Sequence, residues 1–350
     1  PKYNAIISNS EDKSIRVFDL GKKKPALYHK EDNDRFWILA SHPELNLVAA
    51  GHDNGFFIFK LARERPALAN KNESDTIYYY KSPYVMEYNN TSKESEVLLT
   101  SSYGEQSSSN SGYSPPRTLD YNYGNRSSHC VLLTNDSDNT YELVVLSKRN
   151  NGKPQQSYRG FGRDAIFVSS TRFAVLDKAR QVWLKNLKNE FKEKIKLPAK
   201  YYVTAIFKGG IGRIVLRTND SLVLYDIQSL KILKELPIQG RHLVKYCVWS
   251  RKSKYVAFFS SSKLYIANND LTELSTIREY TRIKSGAWDK SGVFIYNTST
   301  HIKYLLPNGD NGVIRTLNHQ IYITSVIGNK VHFIDRDAEN NFMTIDGTEY

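Results

Sequence analysis

Four apolar runs in the second half of the chain each end in a large aromatic: Phe167, Phe207, Trp249 and Trp288. Their spacings are 40, 42 and 39 residues. Each run is followed by a second β-type segment (FAVLD, IVLRT, YVAFFS, VFIYNT) and a third (VWLKNL, LVLYDI, LYIAN, IKYLL). A fourth closes each unit (EKIKLP, ILKELP, ELSTI, VIRTL). A unit of four short strands cannot bury its apolar faces alone. Stacking such units at a fixed period of about 40–45 residues is the solution adopted by propeller blades.

The period extends in both directions. TIYYYKSPYVMEYNNTSKESEVLLTS and TLDYNYGNRSSHCVLLTNDSDNTYELVVLS read as two earlier units, and IYITSVIGNKVHFIDRDAENNFMTI as a last one. That makes seven blades between about residue 66 and Tyr350. Pro66, in RERPA, cannot sit in a central strand and marks a junction. Before it, IISNSEDKSIRVFDL and FWILASHPELNLVAAGHDNGFFIFKL each read as strand, tight turn, strand. Asp12 precedes Phe18 by six residues, Asp53 precedes Phe59 by six, and the two Asp are 41 apart. An Asp pinning a turn, with an aromatic ending the next strand, is the WD40 pattern, with Phe in place of the usual Trp. The expected fold is therefore all-β: a WD40-like β-propeller of seven four-stranded blades (63–350), preceded by one to two further WD blades (1–62). Asp12, Phe18, Asp53, Phe59, Trp249 and Trp288 are its structural marks. SSYGEQSSSNSGYSPPR, 101–117, is rich in Ser, Gly and Pro and is expected to be a disordered surface loop.

Composition excludes several classes. Only Cys130 and Cys247 are present, too few for a disulfide framework or a cysteine zinc site. This usage fits a reducing compartment. No run reaches the ~20 apolar residues that span a bilayer. The start of the chain carries no signal-peptide pattern. With 49 Lys and Arg against 36 Asp and Glu, the formal charge is +13, which favours acidic partners.

Chemistry is sparse. The eight His show no metal-binding spacing, and His52-Asp53 point to opposite sides of a strand. Gly209-Gly210-Ile211-Gly212 lacks the Lys-Ser/Thr of a phosphate loop and reads as a hairpin turn. Both cysteines sit in apolar strands and read as core. No cofactor, metal or catalytic group is expected. The remaining candidates are basic: Lys22, Lys23 and Lys24 in one loop; Lys185, Lys188, Lys192, Lys194 and Lys196 across one blade's outer strands; Arg251, Lys252 and Lys254 in a turn. Such clusters attract anionic lipid at about 1 kcal/mol per residue, or are solvated faces.

Three long strings, DRFWILASHPELNLVAAGHDNGFFIFKLARERPA, RFAVLDKARQVWLKNLKNE and KSGAWDKSGVFIYNTSTHIKYLLPNGDNGVIRTL, resemble the alpha subunit of coatomer, the COPI vesicle coat. The resemblance runs from Ile7 to Tyr350, with 101–117 as the main departure. It implies the final blades of a first propeller followed by the whole second propeller. It also implies a non-enzymatic, cytoplasmic coat subunit, peripheral on Golgi membranes and vesicles and acting in retrograde transport. Implied partners are other coatomer subunits, beta-prime among them, and dilysine cargo tails. Those tails are taken by the first propeller's acidic and basic upper-face residues, most of which lie upstream. Here Arg35 and Trp37 are candidates to line that site, against a plain role in rim and core. An anionic membrane surface is a further expected contact. The alternative is a basic propeller that binds nucleic acid or another acidic ligand directly, with nucleic acid the less expected.

Overall fold

The computed structural model describes residues 5–19, 26–30, 33–43, 47–60, 64–70, 75–102, 115–123, 128–135, 139–147, 154–210, 212–238 and 243–345. Its regular elements are all antiparallel strands. The chain divides into two compact units. One comprises Pro1–Glu64 with Ser102–Pro115, and the other Arg65–Ser101 with Pro116–Tyr350.

The larger unit holds seven sheets, called blades 1 to 7 in chain order. They cover 68–100, 118–161, 164–194, 205–237, 246–278, 285–316 and 322–344. Blades 1 to 6 have four consecutive strands, and blade 7 has three among the described residues. The first strand of each blade is the innermost: Leu68–Asn70, Thr118–Tyr123, Asp164–Phe167, Ala205–Lys208, Tyr246–Trp249, Ser285–Trp288 and Tyr322–Ile327. Each lies beside the next, and the seventh returns to the first, so the inner strands close a ring. Radial repetition leaves the inner sheet edges short and protected by the neighbouring blades.

Blade 1 corrects one boundary. Thr76–Lys81, expected to open the blade, is its second strand; the inner strand is the three-residue Leu68–Asn70. Three residues beside a Pro carry too short a pattern to be read as a strand. Blade 2 also gains an outer strand, Pro154–Phe161, whose polar sequence PQQSYRGF hides it.

The core lies between blades. In blade 4, Ile214 and Leu216 pack with Ala174 and Leu176 of blade 3. Val215, one residue over, packs with Val256 and Phe258 of blade 5. Alternation sends successive side chains to opposite faces, and both faces are covered. This is why the second strands are continuous apolar runs rather than alternating ones. Ile334 and Ala338 of blade 7 with Ile77 and Tyr79 of blade 1 form the closing layer. Between blades 1 and 2, Tyr78 and Tyr121 stack at 3.8 Å with their planes 2° apart.

Polar side chains stitch the same ring at its centre. Asp120 accepts from the Phe167 N–H at 2.9 Å. The Trp249 indole donates to the Lys208 carbonyl at 2.6 Å and the Trp288 indole to the Val248 carbonyl at 2.8 Å. Ser285 Oγ accepts from the Ile323 N–H at 2.6 Å, and Asn70 donates to the Thr324 carbonyl. Each bond joins one inner strand to a neighbouring one. A lost backbone partner here costs about 1–3 kcal/mol, so these contacts fix how blades sit on one another.

The smaller unit has two three-stranded sheets: Ala5–Ser10, Ser14–Asp19 and Ala26–Lys30; then Phe36–Ser41, Leu47–His52 and Gly55–Lys60. They meet along Ala5–Ser10 and Phe36–Ser41, where Asn9 donates to the Phe36 carbonyl at 2.8 Å. Ile15, Phe36 and Ala50 are the buried centre, with Phe57 and Phe59 packed against it.

Candidate functional site

In the smaller unit, candidate groups gather where the chain enters Phe36–Ser41. Asp53 lies in the turn between Leu47–His52 and Gly55–Lys60. Its carboxylate accepts from the Arg35 N–H at 2.9 Å and the Trp37 indole at 2.6 Å. The Arg35 N–H above all, then the Trp37 indole, hold the Asp53 carboxyl below its ordinary value. Beside it, Asp34 meets the His52 ring at 2.8 Å and accepts from Asn54 at 2.7 Å. Arg35 also pairs with Glu11 at 3.1 Å, both side chains largely exposed. Asp53 and Asp34 therefore hold the loop in shape, while the Trp37 face, 62% exposed, and the Arg35 guanidinium remain presented to solvent.

Asp12 acts more locally. It accepts from the Ser14 N–H at 3.2 Å, from the Ser14 hydroxyl and from Arg16. The Ser14 hydroxyl is the chief cause of its lowered pKa. Phe18 is 38% exposed, whereas Phe59 packs on the Phe57 ring at 5.5 Å. Lys22, Lys23 and Lys24 lie outside the described residues, as do residues 103–114 of the Ser-rich loop.

In the propeller, antiparallel strands put alternate loops on two faces. The upper face holds the loops leading into each inner strand and those joining second to third strands; the lower face holds the others. Lys188 is in a lower-face turn of blade 3, while Lys192 and Lys194 ride on its outermost strand, Phe191–Lys194. Lys192 lies 3.8 Å from Glu190, and Lys194 sits over the Trp183 ring. All three are exposed. Lys185, expected among them, is instead 7% exposed. Its amine donates to the Tyr141 hydroxyl at 2.7 Å and Asn189 at 3.1 Å and lies over the Phe191 ring. Strand alternation turns it inward, and burial lowers its pKa. Arg251, Lys252 and Lys254 belong to the lower face of blade 5. Trp288 is buried and Trp249 half-buried, both at inner-strand ends. Burial pushes both thiols up, that of Cys130 to about 11.

The upper face carries cations that the linear reading passed over. Arg117, Arg163, Lys245 and Lys284 each stand one residue before an inner strand, in blades 2, 3, 5 and 6. Once the blade period is known, that recurrence is their only sequence signal. Among the described residues no group of His, Cys, Asp and Glu is placed to hold a metal ion. No helix among them is long and apolar enough to cross a membrane.

A closed ring of seven blades with two loop-built faces defines the class: a WD40-type β-propeller that presents binding surfaces in fixed geometry. Residues 82–335 match the family described as COPA/B second beta-propeller. The chain belongs to that family. It is 45% identical over 338 residues to coatomer subunit alpha-2 of Arabidopsis thaliana, covering 95% of this chain and 27% of that one. Coatomer subunit alpha of Dictyostelium discoideum is 40% identical over 334 residues (95% and 26%), and that of Saccharomyces cerevisiae 36% over 335 (95% and 27%). The chain thus spans about a quarter of the length of these relatives. Among solved structures, the Myceliophteria thermophila Cps50 (Swd1) beta-propeller domain superimposes with a TM-score of 0.61 at 10% identity, over 81% of this chain and 98% of that one. A chain of the mitotic checkpoint complex gives 0.58 at 12%, over 92% and 97%. These two establish the fold alone.

Proposed function

We propose that this chain serves as a non-enzymatic scaffold of the COPI vesicle coat, cytoplasmic and peripheral on Golgi membranes, in retrograde transport. The observation that carries the reading is its similarity to coatomer alpha subunits over 95% of its length. The physical role follows from stiffness. A closed ring presents its loops without an ordering cost at each contact, so weak contacts repeated across many coat copies add up. Partners are other coatomer subunits, beta-prime among them. Residues 1–62 are the last blades of a first propeller, and 63–350 the second.

Two finer assignments accompany this. Arg35 and Trp37 line the margin of a dilysine-tail site, with Arg35 facing the tail's carboxylate. The exposed Lys188, Lys192 and Lys194, with Lys22 to Lys24, contact anionic lipid. The decisive test is co-purification. An epitope-tagged chain expressed in cells is expected to bring down other coatomer subunits and to label Golgi membranes; recovery without any of them overturns the scaffold reading. Sedimentation with phosphatidylserine vesicles at low and physiological salt tests the lipid contact. Binding that survives charge reversal of all six lysines removes them from it.

A further inference from the structure

The upper face of blades 2 to 5 concentrates cations, some joined to the fold and others exposed. Arg180, in the loop between the second and third strands of blade 3, lies over the Tyr202 ring at 5.1 Å. Arg217 of blade 4 donates from Nε to Thr204 at 2.8 Å and from Nη1 to the Val244 carbonyl. Arg117 pairs with Asp164 at 3.0 Å and donates to the Arg163 carbonyl at 3.2 Å. All three guanidiniums are half-buried, and those of Arg217 and Arg117 are anchored on backbone oxygens. Their mutual proximity is felt electrostatically. Burial lowers the Arg217 pKa most; the charges of Arg117, Arg180 and Arg163 lower it further, and Asp164 opposes them.

The neighbouring carboxylates are engaged. Asp177 accepts from the Gln181 N–H at 2.8 Å and the Trp183 indole at 2.9 Å. Asp220 accepts from Thr218 at 3.0 Å, and Glu235 from Tyr201 at 2.8 Å, with Lys200 beside it at 3.8 Å. Next to Val244, on the same face, a pocket of about 450 Å³ is lined by Lys245, Ser261, Ser262, Tyr280, Thr281 and Arg282. Tyr280 is fully exposed. Of its lining, Tyr280 and Arg282 are of the residue types enriched at interaction hot spots.

We infer that this upper face, from Arg180 and Arg217 to the Lys245–Arg282 pocket, docks an acidic peptide segment of a protein partner. It rests on the scaffold reading and names the chemistry of one partner. The planar guanidiniums of Arg180, set over Tyr202, and of the exposed Arg282 match carboxylates in pairs, Arg217 adds positive charge beneath them, and Ser and Thr hydroxyls add neutral donors. The pocket takes one bulky side chain against Tyr280. A membrane surface fits less well, because Arg180 and Arg217 are recessed and half-buried rather than projecting. Single-stranded RNA would require a row of exposed aromatic platforms; this face has Tyr202 and Tyr280, on different blades.

The test is fluorescence anisotropy of the full chain with a labelled Asp/Glu-rich peptide carrying one central Trp. A Lys-rich counterpart, phosphatidylserine vesicles and oligo-uridine serve as comparison probes. Binding of the acidic peptide is expected, weakening as salt rises. The upper-face variant Arg180→Glu/Lys245→Glu/Arg282→Glu is expected to weaken it tenfold or more. The lower-face variant Arg251→Glu/Lys252→Glu should change it less than twofold. Should the triple variant fail to fold, Lys245→Glu alone, on an exposed side chain, is expected to lose about threefold. The inference is overturned by no binding at low salt, by equal losses from the two faces, or by vesicles or RNA depending on these residues while the peptide does not. This readout needs no coat. Loss of coat co-purification with peptide binding intact would refute the scaffold reading alone, and the converse would refute the docking site alone.

Discussion

Replacing Trp288 with Ala tests whether blade-to-blade stitching stabilises the ring. The side chain is 8% exposed, its ring 5.1 Å from Phe294 and 5.9 Å from Tyr255. Its indole donates at 2.8 Å to the Val248 carbonyl of the preceding blade. Truncating a buried Trp costs about 3–5 kcal/mol in lost transfer energy and cavity. The hydrogen bond accounts for about 1 kcal/mol of difference, so Trp288→Phe should lose about 1–2 kcal/mol. Trp249 makes the equivalent bond to Lys208 at 2.6 Å but is only half-buried. Trp249→Ala should therefore lose about 2 kcal/mol, scaling the burial term accordingly. The assay is urea unfolding of the full chain followed by far-ultraviolet circular dichroism, which does not depend on the replaced indole. The order Trp288→Ala, Trp249→Ala, Trp288→Phe is the expected ranking. A Trp249→Ala loss equal to or larger than that of Trp288→Ala would refute the assignment of stability to buried inter-blade contacts.

Three further outcomes follow from the same geometry. A Cβ on Gly160 would collide with the Tyr141 ring and its hydroxyl, and that ring is held by Asn189 and Lys185; Gly160→Ala should lower the urea midpoint by the equivalent of about 1–3 kcal/mol. Lys303 meets both Glu279 oxygens at 2.9 and 2.8 Å, with Tyr296 donating at 2.6 Å; Lys303→Met strands a buried carboxylate and should cost about 2 kcal/mol, below the fully buried range because Lys303 is partly exposed, whereas Glu279→Gln with Lys303→Met should recover part of it in a double-mutant cycle. The folded Asp53 pKa lies below the ordinary 3.8, so its contribution is present above that value and lost as pH falls through the folded pKa; Asp53→Asn should flatten the acid limb of the stability curve below about pH 4, read from Trp37 fluorescence with Trp183, Trp249 and Trp288 replaced by Phe in both proteins compared.

The propeller was legible because its two signals are local and repeated. An aromatic ends four inner strands, and the strand that follows is apolar on both faces because a blade lies on each side. Phe173–Leu176, Ile214–Leu216 and Val256–Phe259 show this most clearly. The strands that escaped are those whose sequence carries no such constraint. Leu68–Asn70 is too short to show a period, and Pro154–Phe161 is an outer strand with solvent beyond it, so PQQSYRGF need not be apolar. Lys185 fails for the opposite reason. A run of lysines at spacings of two to four residues reads as one charged edge, yet alternation sends Lys185 between blades and leaves Lys192 and Lys194 outside.

The same argument explains why the upper face was hidden. A basic run such as Lys22 to Lys24 is conspicuous because its charges are adjacent in sequence, but adjacency in sequence is not what a propeller uses. Its faces are assembled from two loops of every blade, so residues about 40 positions apart become neighbours. Arg117, Arg163, Lys245 and Lys284 are isolated cations in the chain and members of one face in the fold. Charge runs therefore mark single loops, whereas a surface that spans blades shows itself only when the sequence is read at the blade period. Read that way, the position just before the inner strand is Arg, Arg, Thr, Lys and Lys in blades 2 to 6. At Arg117 the cation also joins blades, through Asp164 and the Arg163 carbonyl, while Thr204 occupies the same place in blade 4 with its hydroxyl serving the Arg217 side chain. Even there the position supports a cation, which is the pattern expected of a face built to meet negative charge.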